Sequence, residues 1–330
     1  MKPVRVQIPG KIMLSGEYSV LFPGGSCVAY CLDKYLKVTI EPINEGIEIV
    51  SDFWPTPLRF STLADLSDSD DMYASAVREA AKEFGVENFK ISVDSELGKG
   101  GLGSSSALRL GVQAAFETYS QQHASLSDTT VWNAAHKAWK RQSEFQSLAS
   151  GYDVIAQATG GLLQITTAPE SWPGPVRQIA CESERLHSFV HIFLGSGFAR
   201  TKDILMPTLQ WLQADGRANT LAQLNLSLQT AILEFLNHQH GSWQNLVTSC
   251  ANQRQFMKAC EFYPQRIDEC FADDPTLDRD WSFKLTGAGG DDAIIVFAKP
   301  EQLPQVSLRL KSVGRSLLRH SITPKGITLQ

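Results

Sequence analysis

The sequence predicts a protein of mixed α and β structure, either one large α/β unit or two domains of roughly 150 residues each. Three observations carry this. Strand-like alternation and helix-like runs are interleaved along the chain. The chain has 330 residues, 43% hydrophobic and 20% charged, with 24 Gly and 15 Pro, a composition rich enough for a sizeable core and unlike disordered or collagen-like chains. A loop containing Pro169, Pro173 and Pro175 divides the chain near its middle, so the expected domains are 1–170 and 171–330.

The elements follow in order. Val4, Val6 and Ile8 alternate with polar residues and Pro9-Gly10 stops the run, which predicts a half-buried strand entering a turn. Leu36, Val38 and Ile40 repeat the alternation, with 47–50 as the expected partner strand. Residues 72–84 are good helix formers closed by Gly85, a natural residue just past a helix end. Residues 89–93 return to strand, and a Gly/Ser-rich turn at 98–106 feeds an alanine-rich helix over 107–119. Ser127-Asp128 caps a helix running toward Arg141, and Gly160-Gly161 precedes a strand at 162–165. Beyond the Pro-rich loop come a buried strand at 189–194, helices over about 203–213, 219–237 and 243–260, a strand at 293–297 and a helix at 300–312.

The formal net charge of −5 argues against a protein that coats nucleic acid, so any anionic ligand is held by local positive features. No run approaches the ~18 apolar residues that span a bilayer, and residues 1–5 lead into alternation with no signal-peptide core. A soluble cytoplasmic protein with no membrane partner is expected. The six cysteines form no metal-spaced pairs and read as scattered buried thiols. Trp132 and Trp139 share a helical face and read as core, and Lys311, Arg315, Arg319 and Lys325 as a solvated face.

Three glycine-rich segments carry chemistry. Gly100, Gly101, Leu102, Gly103, Ser104, Ser105, Ser106 and Ala107 lie between a strand and a helix start. There, free N–H groups and the helix dipole attract an anion, and serine hydroxyls serve phosphate oxygens or a metal ion. The alternative is a surface turn ending in a helix cap. The run is neither a Walker A loop, which ends in Gly-Lys-Ser/Thr, nor a dinucleotide fingerprint, which needs a third spaced glycine. Lys11 directly follows Pro9-Gly10 and is either aimed at a phosphate by a rigid turn or an ordinary surface lysine. Gly287, Ala288, Gly289 and Gly290 precede a buried strand, where backbone passes close to a ligand or turns tightly.

Taken in order, the three segments resemble those of the GHMP kinase superfamily, which has Pro-Gly-Lys…Gly-Glu, Gly-Leu-Gly-Ser-Ser and Gly-Ala-Gly-Gly motifs spread along the chain. Gly16-Glu17-Tyr18-Ser19-Val20-Leu21, Ser150-Gly151-Tyr152-Asp153-Val154, Gly197–Lys202 and Lys284–Asp292 are most similar to the phosphomevalonate kinase branch. The resemblance implies an α+β, two-lobed fold: a ribosomal-protein-S5-domain-2-like N-terminal lobe and a ferredoxin-like α/β sandwich C-terminal lobe, with the site between them. It implies ATP and Mg2+ as cofactors and a small anionic acceptor, in a monomer or homodimer.

By the same resemblance, Lys11 and Asp153 are catalytic, the lysine neutralising the transferring phosphoryl group and pairing with the aspartate base. Residues 100–106 and 287–290 hold the ATP phosphates, and Ser104 or Ser105 binds the metal. Glu17, Tyr18, Ser150, Ser196, Thr201 and Lys202 are implied substrate contacts. Read locally, Asp153 is also a candidate helix cap, Tyr18 a candidate core residue and Lys202 a candidate solvated lysine.

Two departures stand out. Asp291 occupies a family glycine position, and Gln142, eleven residues before Asp153, stands where mevalonate kinases carry a magnesium-binding glutamate. The alternatives left open are mevalonate kinase, another small-molecule kinase of the superfamily, or a catalytically silent relative that binds a ligand and regulates.

Overall fold

The computed structural model describes residues 2–330 other than 53, 69–70, 99, 147, 181–182, 196–200, 262, 288 and 290–291; at 67–68, 145–146, 169, 183 and 201–202 it describes the backbone alone. The first lobe opens with β1 (Val4–Ser15), β2 (Ser26–Pro42), β3 (Ile47–Ser51) and β4 (Leu58–Phe60), then α1 (Met72–Phe84) and β5 (Phe89–Ser95). Helices α2 (Ser104–Gln121), α3 (Asp128–Gln146) and α4 (Tyr152–Thr159) follow, then β6 (Leu162–Thr166) and β7 (Val176–Gln178).

The second lobe holds α5 (Ser183–Phe189), β8 (Val190–Leu194), α6 (Thr201–Gln213), α7 (Arg217–Leu236), α8 (Ser242–Met257), α9 (Gln265–Glu269), β9 (Ser282–Leu285), β10 (Ile294–Phe297), α10 (Leu303–Ser312) and β11 (Ser316–Leu318). The last strand, β12 (Thr328–Leu329), pairs with β1 of the first sheet. The first sheet runs β12-β1-β2-β5-β3-β4 with β6 and β7 branching from β2, so two strands from beyond residue 170 complete it. The second runs β11-β8-β10-β9, all antiparallel. Counted along the chain, that is the β-α-β-β-α-β arrangement of a ferredoxin-like lobe.

Local signals place several elements well. Helix α1 spans 72–84 as expected; Asp71 caps it by accepting from the Tyr73 and Ala74 amides, and Gly85 ends it at φ 61°. Helix α3 begins beside Ser127, whose hydroxyl accepts from the Thr130 amide at 3.1 Å. Helix α2 is buried along almost its whole length because it lies flat on the first sheet. Gly111 makes the approach possible, since a Cβ there would sit 2.5 Å from Ile8 Cδ1.

Several sequence expectations are corrected. Pro9-Gly10 does not end the first strand; β1 continues to Ser15. Pro9 has no N–H for the ladder, so the register shifts between Pro9, opposite Tyr35, and Gly10, opposite Leu32, and pairing then resumes. The alternation fades after Pro9 because Ile12, Met13 and Leu14 are all buried, on a sheet covered on both faces. The second correction concerns 47–50, which pairs in parallel with β5 and not with β2, whose neighbours are β1, β5 and β6. Among the buried polar residues is Arg315, expected on a solvated face; its guanidinium donates to the Asp292 carbonyl at 2.6 Å.

Residues 316–329 strap the second lobe to the first. Thr323 N donates to Cys31 O at 3.1 Å, Gly161 N to Thr323 O at 2.8 Å, and Ile322 N to His187 Nε2 at 3.1 Å. Burial holds the His187, His191 and His320 imidazoles below their ordinary range. Such lowered values contribute stability that is fully present above the ordinary histidine value of about 6.5 and is lost as pH falls below it. Denaturant unfolding is therefore expected to show lower stability at ~pH 5.5 than at ~pH 7.5; a flat profile would remove the histidines from the balance. No helix among the described residues is long and apolar enough to cross a membrane.

Candidate active site

Four elements of the first lobe converge. Strand β1 carries Lys11, whose backbone N–H donates to Leu102 O at 2.9 Å and so pins the 100–103 loop against the strand. Its ammonium donates to the Tyr152 hydroxyl at 2.9 Å and to Gly101 O at 3.3 Å. Burial pushes the Lys11 ammonium below its ordinary value, against the opposing fields of Asp153 and Asp292.

The loop passes Gly100, Gly101, Leu102 and Gly103 into α2, with Gly103 as the residue before the helix at φ 82° and no side chain capping the helix start. The amides of Ser104, Ser105 and Ser106 are thus left for a ligand, at the positive end of a long helix. Gly103 is required sterically as well, because a Cβ there would sit 2.8 Å from Lys11 Cε. The Ser106 hydroxyl is used within the loop, donating to Gly103 O at 2.9 Å, whereas Ser104 and Ser105 are partly exposed.

Helix α4 brings the acid. Its cap position is Gly151, so Asp153 is not the helix cap but lies in the first turn, its Oδ1 accepting from Val154 N at 2.9 Å. Asp153 Oδ2 accepts from Gln142 Nε2 of α3 at 3.1 Å. One turn later Gln157 donates to Gly103 O at 3.0 Å, tying α4 to the loop. Behind Gly151, Trp139, Trp172 and His136 form a three-ring stack, with the two indoles 4.5 Å apart. Trp139 is thus both packed and part of a stack. A Cβ on Gly151 would lie 2.4 Å from Trp172 Cζ3, so the stack fixes where α4 starts. Ser150 is half-buried just before it.

The expected direct pairing of Lys11 with Asp153 is not made. Each charged group is satisfied by neutral partners, and the aspartate acts on the lysine only through its field.

The second lobe closes on this assembly. Leu194 lies where a Gly100 Cβ would point, at 3.3 Å, and Asp292 lies at the same distance from a Gly101 Cβ. Thr286 Oγ1 donates to Met13 O at 3.0 Å and accepts from Met13 N at 3.3 Å, docking the end of β9 beside β1. Gly287 and Gly289 take φ 69° and 85°; Ala288 and Gly290 lie outside the described residues, as does Asp291.

Glu17 is ion-paired with Lys284 of β9, both nearly fully buried. Burial pushes the Glu17 carboxyl up, and Lys284 offsets that only in part. Tyr18 is buried at φ 60°, packed among Leu205, Leu209 and Met257, and its hydroxyl bonds Thr208. A hollow of about 20 Å³ opens between Glu17, Tyr18, Leu285, Gly287 and Gly289. Ser196 lies outside the described residues, and Thr201 and Lys202 begin α6 with side chains that also lie outside them.

Sequence reasoning missed the clamp that holds the Glu17 turn. Asn225 donates to Glu17 O at 2.9 Å and to Ser19 Oγ at 2.7 Å, and Gln229 donates to Ser26 O at 2.7 Å. Two amides four residues apart on an otherwise apolar helix face were the available signal.

Residues 71–161 match the family described as GHMP kinases N terminal domain. The match includes the 100–106 loop and Asp153 and leaves out 287–290 and Lys11, which the fold brings to the loop. A comparison with curated proteins gives no significant match.

Among solved structures, the Lin0012 protein from Listeria innocua is 18% identical, with all of this chain and 99% of that one covered, at a TM-score of 0.76. A D-glycero-D-manno-heptose 1-phosphate kinase from Bacteriodes thetaiotaomicron is 16% identical over 99% and 98% of the two chains, at 0.73. The Streptococcus pneumoniae phosphomevalonate kinase, in complex with phosphomevalonate and AMPPNP, is 16% identical over 96% and 99%, at 0.73. Residues 71–161 thus match the GHMP kinases N terminal domain, and the chain from end to end shares the two-lobed α+β fold of these solved structures.

Proposed function

We propose that the chain is an ATP-dependent small-molecule kinase of the GHMP type, converting phosphomevalonate to diphosphomevalonate. The observation that carries the reading is the meeting, at one junction, of the uncapped start of α2, the buried Lys11 ammonium and the Asp153 carboxylate. The choice of acceptor rests on the segments 16–21, 150–154 and 284–290, which resemble the phosphomevalonate kinase forms.

In this reading the amides of residues 101–106 hold the ATP phosphates, with Gly287 to Gly290 against them from the second lobe. Lys11 draws charge from the transferring group, and Asp153 orients the acceptor oxygen and takes its proton where it carries one. That oxygen attacks the γ-phosphorus. The new P–O bond forms as the bond to the β,γ-bridging oxygen breaks, and ADP leaves with the electron pair.

The Ser104 and Ser105 hydroxyls and one carboxylate are oxygen donors suited to Mg2+ but too few to hold it alone, and no group of three His, Cys, Asp or Glu converges among the described residues. The fit is to a cation carried in on the nucleotide, which when bound neutralises phosphate charge.

A coupled ADP-release assay across phosphomevalonate, mevalonate and sugar acceptors tests the reading. Turnover fastest with phosphomevalonate is expected; silence on every acceptor with ATP still bound would leave the protein a ligand-binding regulator. Gly103→Ala is expected to cost ~1–2 kcal/mol of stability from its left-handed backbone and to weaken ATP binding by displacing Lys11, measured by thermal unfolding and calorimetry. Unchanged ATP affinity would exclude the loop from phosphate binding.

A further inference from the structure

We propose that Tyr152 and Gln142 are positioning residues that hold Lys11 and Asp153 apart, each binding one member of the pair so that the gap between them stays open for the acceptor oxygen. The inference rests on the kinase reading above for the meaning of the gap, and on geometry alone for its existence.

Opposite charges a few ångströms apart at a poorly solvated site attract each other much more strongly than they do in water. A lysine has four flexible carbons with which to follow that attraction, so collapse into a salt bridge is the default arrangement. Here it has not happened. No ion pair within 4.0 Å joins Lys11 to Asp153, although Lys11 is only 6% exposed and feels the aspartate's field.

The reason lies in the neutral partners. The Tyr152 hydroxyl accepts one ammonium hydrogen at 2.9 Å on a phenol ring that is itself buried. Burial keeps that hydroxyl protonated, so it engages Lys11 without adding charge. Gly101 O takes a second ammonium hydrogen.

On the other side, Gln142 Nε2 and Val154 N occupy one oxygen each of Asp153. Gln142 is 7% exposed, and its Oε1 has no partner among the described residues. The amide is therefore oriented for its N–H bond to Asp153, at the cost of an unpaired buried carbonyl. Glutamate at 142 would supply no such N–H and would set a second negative charge against Asp153. A salt bridge would occupy the ammonium hydrogen and the carboxylate lone pair that an acceptor oxygen needs; two neutral partners leave one of each available.

The test uses Tyr152→Phe, Gln142→Leu and the double variant of the full chain. Each single variant is expected to lose about 10–100-fold in kcat, the scale of a small misplacement of reacting groups, with the KM for ATP and the unfolding temperature unchanged. The double variant is expected to be no slower than the worse single one, because the pair collapses only once. Wild-type kcat in either single variant, or losses that multiply in the double, overturns the proposal.

A crystal structure of Tyr152→Phe gives a readout independent of activity. Lys11 Nζ within 4 Å of the Asp153 carboxylate is expected, and a lysine still on Gly101 O and clear of Asp153 overturns it. Were the wild type silent on every acceptor, the kinase reading would fail while the crystal structure still decided the positioning role.

Discussion

Replacing Asp153 by alanine is expected to lower kcat by ~10²–10⁴-fold, the usual contribution of a positioned general base, and to leave ATP affinity unchanged. The two effects separate because of where the residue sits. Asp153 lies in the first turn of α4, and neither of its carboxylate oxygens bonds the 100–103 loop; they accept from Val154 N and Gln142 Nε2. The connection from α4 to the loop runs through Gln157, one turn further on, and through Tyr152 to Lys11. Both remain in the variant, so the 100–103 backbone keeps its supports. Steady-state kinetics with the preferred acceptor and calorimetric titration of ATP read the two quantities separately. A variant within tenfold of wild type would take Asp153 out of the reaction, and loss of ATP binding would make it a structural residue of the loop.

The second large effect is on stability. Lys284→Met is expected to cost ~3–5 kcal/mol, the scale for removing one partner of a buried ion pair. The Lys284 side chain is 0% exposed and that of Glu17 4%, and Glu17 Oε2 already lacks a partner among the described residues. Without the lysine the buried carboxylate keeps only its own backbone amide and the weaker field of Lys11 to compensate it.

The sign of the pH dependence follows. Burial already raises the Glu17 carboxyl above its ordinary value, and losing Lys284 raises it further. A raised acid contributes stability that is fully present below its unfolded value, about 4.3, and lost as pH rises through the folded one. The deficit of Lys284→Met is therefore largest at neutral pH and shrinks on acidification. Adding Glu17→Gln should recover part of the loss, since it removes the stranded charge. Urea unfolding of the single and double variants at two pH values measures this; a single variant within 1 kcal/mol of wild type, about the ceiling for an exposed pair, would show the bridge to be solvated.

The comparison of sequence with structure divides along the range of the interactions. Helix α1 was legible to the residue because its signals are local: helix formers over 72–84 and Gly85 to end it, with Asp71 as a further local signal at its start. The 100–106 segment was legible in part: glycines and serines before an alanine-rich run place a turn and then a helix, but the sequence put the helix start at 107, whereas α2 begins at Ser104 with no side chain capping it.

Strand partners were not. The 47–50 segment alternates as a strand should, yet nothing in it says that β5 and not β2 lies alongside, because alternation encodes faces and not neighbours. The Pro9-Gly10 stop failed because a proline breaks a hydrogen-bond ladder without ending an extended chain, and β2 accommodates the break with a register shift.

In the site, the residue types were visible and their relations were not. Lys11 and Asp153 could be singled out by position in ordered motifs, but that they are kept from each other by Tyr152 and Gln142 depends on side-chain directions across 141 and 11 residues of chain. Gln142 looked like a missing charge and turns out to be a hydrogen-bond donor to the aspartate. Glu17, an expected substrate contact, is held by Lys284, 267 residues away.

By itself the sequence determined the α1 helix, the Gly/Ser-rich turn leading into α2, the mixed α and β class and which charged residues stand in ordered glycine-rich motifs, since each follows from backbone preference and charge within a few residues. The tertiary structure alone decided which of those residues meet, which are neutralised by burial partners and which stay available. Those outcomes depend on desolvation and on distances between segments far apart in the chain, and neither is written in any local run of residues.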